Sequence, residues 1–272
     1  MTQFIWDTSF VNNYNSSLEE PGFRASIEQN VRSEYNWPEF KVYPGVFISQ
    51  LDSIHTRNIL KEISWDKRAL EVGCGTGWNS MVAAQYGASE IVASDISENA
   101  LDNTQENVDN ANLNKIIRVF RSDLFQNIPN GKWDIIIANL PFDNCDYVGE
   151  NEHNRATRDP EFALNKRFLK EARNLLNPTG KIIFNHSNFS GAGRRLVFEI
   201  IKNNYTVTSL DRTVISFGKL YRKFYTLVLE KQLQCSNPLK QPSQFFIWNR
   251  RNIDSVSYLR ELEDVPQYIS LR

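Results

Sequence analysis

One stretch limits what this chain can fold into more than any other. A short apolar strand, Ala69-Leu70-Glu71-Val72, runs straight into Gly73-Cys74-Gly75-Thr76-Gly77, and a second apolar strand, Ile91-Val92-Ala93-Ser94, ends in Asp95. Glycines let backbone N–H groups and the start of the following helix come close to a ligand. An acid at the end of the next strand can accept hydrogen bonds from ribose hydroxyls. The stretch therefore reads as a nucleotide site built on a strand, a loop, a helix and a second strand. A dinucleotide fingerprint needs its third glycine at position 78, where this chain has Trp78. The glycines read G-x-G-x-G instead.

Around this unit the hydrophobic pattern alternates between strand and helix. Strands are expected at 68–72, 91–94, 116–120 (ending at Ser122-Asp123), 133–138 and 181–184, with helices at 78–86, 99–110, 162–176 and 194–202. The run Ile135-Ile136-Ile137 marks a central strand covered on both faces. Asn177-Pro178-Thr179-Gly180 stops a helix. Two further strand-like runs, 206–216 and 221–229, are separated only by Phe217-Gly218-Lys219, so they must pair antiparallel. The expected fold is α/β: a mostly parallel, Rossmann-like sheet finished by a C-terminal antiparallel hairpin. Ligands of such sheets sit beyond the carboxyl ends of the strands, so strand-end residues carry the functional information.

The organisation expected is a partly helical leader over 1–65, a nucleotide-binding domain over 66–231 and an extension over 232–272, either a small appended element or an oligomer contact. Within the leader, Tyr43-Pro44-Gly45-Val46-Phe47 carries a turn signal and precedes a helix over 52–63 that Asp52 or Ser53 can cap. With 31 Lys and Arg against 32 Asp and Glu, no global field draws the chain to nucleic acid or to an acidic membrane. No apolar run approaches the roughly 20 residues of a membrane helix, and the first residues do not form a signal peptide, so a cytoplasmic location is expected. Cys74, Cys145 and Cys235 are dispersed, as are His55, His153 and His186, and no metal is expected.

Glu71-x-Gly73-x-Gly75-x-Gly77 with Asp95 after the next strand resembles the class I S-adenosylmethionine-dependent methyltransferases, which have a seven-stranded sheet of this kind. The resemblance strengthens at two further strand ends, Asp123 and Asn139-Leu140-Pro141-Phe142. The latter is similar to the (Asn or Asp)-Pro-Pro-(Tyr or Phe) motif of members that modify nitrogen. Tyr43 to Phe47 is similar to a segment found before the glycine motif in the HemK/PrmC-like and RsmC-like N-methyltransferases, so the resemblance runs from about residue 41 to residue 230.

The resemblance implies S-adenosyl-L-methionine as cofactor, held by Glu71, Gly73, Cys74, Gly75, Thr76, Gly77, Asp95, Ile96, Asp123, Leu124 and Asn139. Glu71 would lie near the ammonium group, Asp95 on the ribose diol and Asp123 on the adenine amino group. Asn139, Pro141 and Phe142 form the implied catalytic set: the Asn139 side-chain oxygen and the backbone carbonyl after it accept the N–H bonds of a planar nitrogen, and Phe142 packs against its plane. Alignment and exclusion of water, without a strong base, suffice for that chemistry. Leu140 replaces the first proline and leaves the loop less constrained. Tyr43, Phe47, Tyr147 and His186 are candidate substrate contacts, with the polar segment 143–160 as a lid or substrate loop; a solvated loop is the competing reading.

The expected acceptor is a nitrogen of a small molecule or peptide side chain. A base of RNA or DNA is the alternative, and it calls for a basic groove beside Asn139. Non-methylating chemistry, such as cyclisation of the cofactor's aminobutyrate chain, is a third. A release-factor glutamine methyltransferase is not favoured, because a leader of this length holds no obvious helical substrate domain.

Overall fold

The computed structural model describes residues 21–48, 53–142, 156–187, 192–217 and 220–232. Its elements are α1 (Pro21–Tyr35), α2 (Ile54–Ile63), β1 (Arg68–Val72), α3 (Trp78–Gln85), β2 (Glu90–Asp95), α4 (Glu98–Asn110), β3 (Ile117–Arg121), β4 (Trp133–Ala138), α5 (Ala163–Leu175), β5 (Leu176–Ser187), α6 (Ala192–Lys202), β6 (Tyr205–Phe217) and β7 (Leu220–Lys231). They form a seven-stranded sheet of order β3-β2-β1-β4-β5-β7-β6. β1 to β5 are mutually parallel, and β7 runs antiparallel to both β5 and β6. No described helix is long and apolar enough to cross a membrane.

The pleat divides the core. Ala69, Ile91, Ile135, Ile137 and Ile183 face one cluster with α3, while Leu70, Val92, Ile136, Ile182 and Phe184 face the other with α5 and α6. Alternation of side chains along a strand thus explains the three consecutive isoleucines: both faces of β4 are covered. Residues of the leader complete the first cluster. Ile27, Val31, Phe40, Val42 and Ile48 are buried there, and Trp37 stacks on Tyr35 at 4.8 Å. Trp78, at the head of α3, meets Tyr35 edge-on and lies under the Arg57 guanidinium at 3.8 Å.

β5 departs from expectation at both ends. It begins at Leu176, opposite Trp133, and then skips in register so that Lys181 faces Ile135. The Asn177–Gly180 segment is therefore an irregularity inside the strand, pinned by Asn177 Nδ2 donating to Asp134 Oδ1 at 2.6 Å. At the other end, pairing with β7 carries the strand through Asn185, His186 and Ser187, which the sequence pattern leaves in a loop. An antiparallel partner supplies hydrogen bonds that a single strand cannot announce.

The leader is tied to the sheet by a row of asparagines on α4. Asn99 Nδ2 donates to Pro44 O at 2.8 Å. Asn103 accepts from Tyr43 N at 2.9 Å and donates to Lys41 O at 3.0 Å. Asn107 accepts from Lys41 N at 2.8 Å and donates to Lys41 O at 2.9 Å and to Thr76 O at 3.0 Å. Asn110 Nδ2 reaches Glu39 O at 3.2 Å. Residues spaced by three or four share one helix face, so this face reads the backbone of 39–44 the way a neighbouring strand would. Asn107→Ala strands backbone groups of both Lys41 and Thr76 and is expected to cost about 2–4 kcal/mol of unfolding free energy in chemical denaturation. The exposed Gln105→Ala on the same helix should stay within about 0.5 kcal/mol, and equal losses for the two would contradict the bracing role.

Candidate active site

Between β1 and α3 the chain turns through Gly73, Gly75 and Gly77 at φ of 74°, 55° and 77°. Space as well as backbone angle demands glycine at two of them. A Cβ on Gly75 would lie 2.8 Å from the carbonyl oxygen of Phe47, and one on Gly77 would lie 2.7 Å from Cγ2 of Thr104. Thr104 Oγ1 donates to Gly75 O at 2.9 Å. Its single proton is thereby used, so the buried Cys74 thiol is the donor in the 3.3 Å contact with that oxygen. Burial also pushes the Cys74 thiol well above its ordinary pKa; Cys74 is a protonated packing residue.

Glu71 lies beneath the loop. Its carboxylate is buried and accepts from Asn79 Nδ2 and Ser80 N at 3.0 Å each and from Ser80 Oγ. It therefore caps the first turn of α3 from below, satisfying a helix N–H that has no intrahelical partner. Desolvation drives its pKa up to about 7, against the lowering effect of those hydrogen bonds. Thr76 is buried, with its carbonyl bonded to Asn107.

The strand-end acids stand one strand apart. Asp95 accepts from Gly75 N through Oδ2 and from Ser97 N through Oδ1, both at 3.0 Å, which fixes the carboxylate against the glycine loop. Ser97, not Asp95, caps α4, accepting from Ala100 N. Ile96 is 60% exposed beside Asp95, unusual for isoleucine in a folded chain. Asp123 Oδ2 meets both terminal nitrogens of Arg167 on α5 at 3.2 Å, a half-exposed pair. Leu124 is buried at a left-handed φ of 52°, held by Ser122 Oγ donating to its carbonyl at 2.9 Å. An acid at the end of β2 bonded to the glycine loop, an apolar surface beside it and a second acid after the next strand suit the ribose and adenine of S-adenosylmethionine. These groups fit that cofactor.

At the end of β4, Asn139 Nδ2 donates to Ser53 Oγ at 3.1 Å, which directs the amide oxygen away from Ser53. Leu140 is buried, its Cδ2 3.2 Å from where a Gly73 Cβ would be. The carbonyl of Pro141 accepts from Asn165 Nδ2 at 2.6 Å, and Asn165 is itself held by Asp159. The expectation that Leu140 loosens this loop is thus answered: apolar packing on one side and a side-chain clamp on the other supply the constraint. Phe142 is half-buried against His186 at 5.8 Å and Phe224 at 6.0 Å.

His186 is buried on β5 among Phe142, Phe162 and Phe184. A carbonyl can only accept, so Nδ1 donates to Ser187 O at 2.7 Å and Nε2 carries the lone pair. Desolvation pushes its pKa down to about 4, and the ring is neutral at ordinary pH. The Tyr43 hydroxyl is engaged by Glu106 on α4. Phe47 is partly buried against the first core cluster, its carbonyl on the glycine loop. Tyr147 and the lid segment, apart from its last residues, lie outside the described residues, as do Asp52 and the extension beyond residue 232.

Sequence reasoning overlooked Ser53, Asn185, Asn165 and Arg167. Only Ser53 left a trace, as a helix cap, and it makes no side-chain capping bond.

The chain matches the family described as "Methyltransferase small domain" over residues 38–212. It is 32% identical over 162 residues to a Methanocaldococcus jannaschii protein named as a protein N5-glutamine methyltransferase, covering 56% of this chain and 78% of that one. It is 28% identical over 165 residues to a release factor glutamine methyltransferase of Borreliella burgdorferi, covering 56% of this chain but only 57% of that one. Among solved structures, a methyltransferase from Pyrococcus furiosus superposes with a TM-score of 0.56 at 19% identity, over 77% of this chain and 97% of that chain; this likeness speaks to the fold alone.

Two outcomes are expected of this site. Glu71 has a folded pKa raised above its unfolded value, so its contribution to stability is fully present below about pH 4.5 and is lost as pH rises through about 7. Unfolding free energy of the ligand-free protein, measured from pH 5 to 8, should fall by a few kcal/mol relative to Glu71→Gln; parallel curves would refute the buried acid. Asp95→Ala should weaken binding of S-adenosylhomocysteine, read by calorimetry, at least about tenfold, as expected for loss of a charge-assisted bond. Unchanged affinity would remove Asp95 from the ribose.

Proposed function

Since the chain belongs to the methyltransferase small domain family and is a class I S-adenosylmethionine-dependent methyltransferase, we propose that it methylates a planar nitrogen, in the first place the primary amide of a glutamine side chain in a protein. The observation that carries this reading is the Asn139 amide, whose nitrogen is held by Ser53 so that its oxygen is turned the other way. An oxygen in that place can accept an N–H of the incoming group, as an amide or an exocyclic amine offers. The relative named as a protein N5-glutamine methyltransferase supports the amide in particular.

When bound, S-adenosylmethionine supplies an electrophilic methyl on a sulfonium sulfur. The chain's own part is alignment. Asn139 orients the nitrogen, Phe142 packs on the plane of its group, and the Pro141 carbonyl is fixed by Asn165, so the turn that receives the acceptor cannot splay. Holding reacting atoms in line can replace a base in lowering the barrier. Asp95, Ile96, Asp123 and the glycine loop are assigned to the cofactor; Tyr43, Phe47 and Tyr147 are assigned to the acceptor side, where Phe142 forms an apolar wall, and His186, buried behind it, supports Phe142 instead of touching the acceptor.

The test is product identity. Purified protein is incubated with tritium-labelled S-adenosylmethionine and either a glutamine-bearing peptide library or bulk tRNA, and the products are digested. N5-methylglutamine is the expected product, with turnover lost in Asn139→Ala while S-adenosylhomocysteine binds within about twofold of wild type. Label in N6-methyladenosine would transfer the reading to an RNA base. Full turnover in Asn139→Ala would remove Asn139 from the chemistry.

A further inference from the structure

Behind Asn139 lies a buried polar network that no helix cap or sheet ladder requires. Ser53 occupies the N-cap position of α2, where a serine normally bonds its own helix, yet it makes no such bond. Its Oγ instead accepts from Asn139 Nδ2 at 3.1 Å and from Asn185 Nδ2 at 2.6 Å. Asn185 is fixed in turn. Two hydroxyls, Thr56 Oγ1 from α2 and Thr226 Oγ1 from β7, donate to its Oδ1 at 2.7 and 2.9 Å. Ser53 and Thr56 are 0% exposed, Thr226 1% and Asn185 2%.

Both amides present their nitrogen to the Ser53 oxygen. With two hydroxyl protons on Asn185 Oδ1, only the amide nitrogen of Asn185 can face Ser53. Ser53 receives that N–H on one lone pair and offers the other to Asn139. An asparagine amide is nearly symmetric in shape, and its two ends differ only in whether they donate or accept. Reversed, Asn139 would present an NH2 where the acceptor's own N–H must arrive, and two donors would oppose each other. Packing by Leu140 fixes where the turn sits, but it cannot tell oxygen from nitrogen.

We propose that Ser53 and Asn185 are positioning residues: a hydroxyl–amide relay, anchored on Thr56 and Thr226, that holds the Asn139 side chain with its oxygen toward the methyl acceptor. The proposal rests on the reading of Asn139 given above and adds the device that sets its polarity. It places control of the Asn139 side chain in the segment before the glycine motif and in the strands β5 and β7.

The test reads amide orientation directly and needs no acceptor. The full chain, with side-chain amides of asparagine labelled with 15N and S-adenosylhomocysteine bound, is studied by NMR as wild type, Ser53→Ala and Ser53→Thr. In wild type, the Nδ2 protons of Asn139 should be protected from exchange at least about tenfold relative to a free amide. Ser53→Ala should abolish that protection, Ser53→Thr should restore it, and affinity for S-adenosylhomocysteine should stay within about twofold throughout. The side-chain signals of Asn103 and Asn107, bonded to residues 41–43 and 76, report whether the fold is intact. Unchanged Asn139 protection in Ser53→Ala overturns the relay. Should that variant not fold, the wild-type spectrum decides, because Asn139 protons exchanging at free-amide rates overturn it equally. Methyl transfer persisting in Asn139→Ala would instead defeat the functional reading while leaving the measured orientation standing, so the two failures are distinct.

Discussion

The close approach of the Phe47 carbonyl to Gly75, with Thr104 pressed equally tightly on Gly77, is the constraint on which the rest of the site depends. Residues 39–48, the glycine loop and α4 meet within one van der Waals layer, and no side chain can be added between them. Because the loop is held from outside by Phe47, Thr104 and Asn107, and from below by Glu71, its own backbone need not be stiff. Three alternating glycines have otherwise a wide choice of backbone conformations.

The same economy holds at the acceptor end. A turn that in similar proteins draws rigidity from a proline here draws it from its surroundings: Leu140 against the loop, Asn165 on the Pro141 carbonyl, Ser53 on the Asn139 amide. α2 contributes at both places, through Ser53 and Thr56 to Asn139's network and through Arg57 to the ring of Trp78. The segment before the first strand is thus part of the wall of the site.

Much of this was legible in the sequence, and the boundary of what was legible is physical. Strand and helix periods, the spacing of glycines, and acids at strand ends are local patterns, and they located Glu71, Asp95, Asp123 and Asn139 at successive strand ends of the sheet that was found. Trp78 in place of a third glycine excluded a dinucleotide and turned out to join an aromatic group with Tyr35 and Phe40. What escaped depends on contacts far apart in the chain. Asn185 and Ser53 are 132 residues apart, and the local signal at Ser53, a helix cap, points to a bond it does not make. His186 looked like a loop residue because β7, which makes it a strand residue, comes almost forty positions later in the pairing with Tyr225. The asparagine row of α4 was readable as a spacing, but its partner is bare backbone, which carries no sequence signature.

The position of β7 has a consequence for how the protein becomes competent. It enters the sheet between β5 and β6 and is the last of the described strands in chain order. Thr226, on that strand, is one of the two anchors of Asn185. The nucleotide-binding half, built from β1, β2, β3 and β4, consists of sequence neighbours and can assemble early, because contacts between near neighbours cost less closure entropy. The group that orients Asn139 is completed only by β7. The two halves of the site thus draw on different parts of the chain: the cofactor surface on consecutive early strands, the support of Asn139 on a strand far along the sequence.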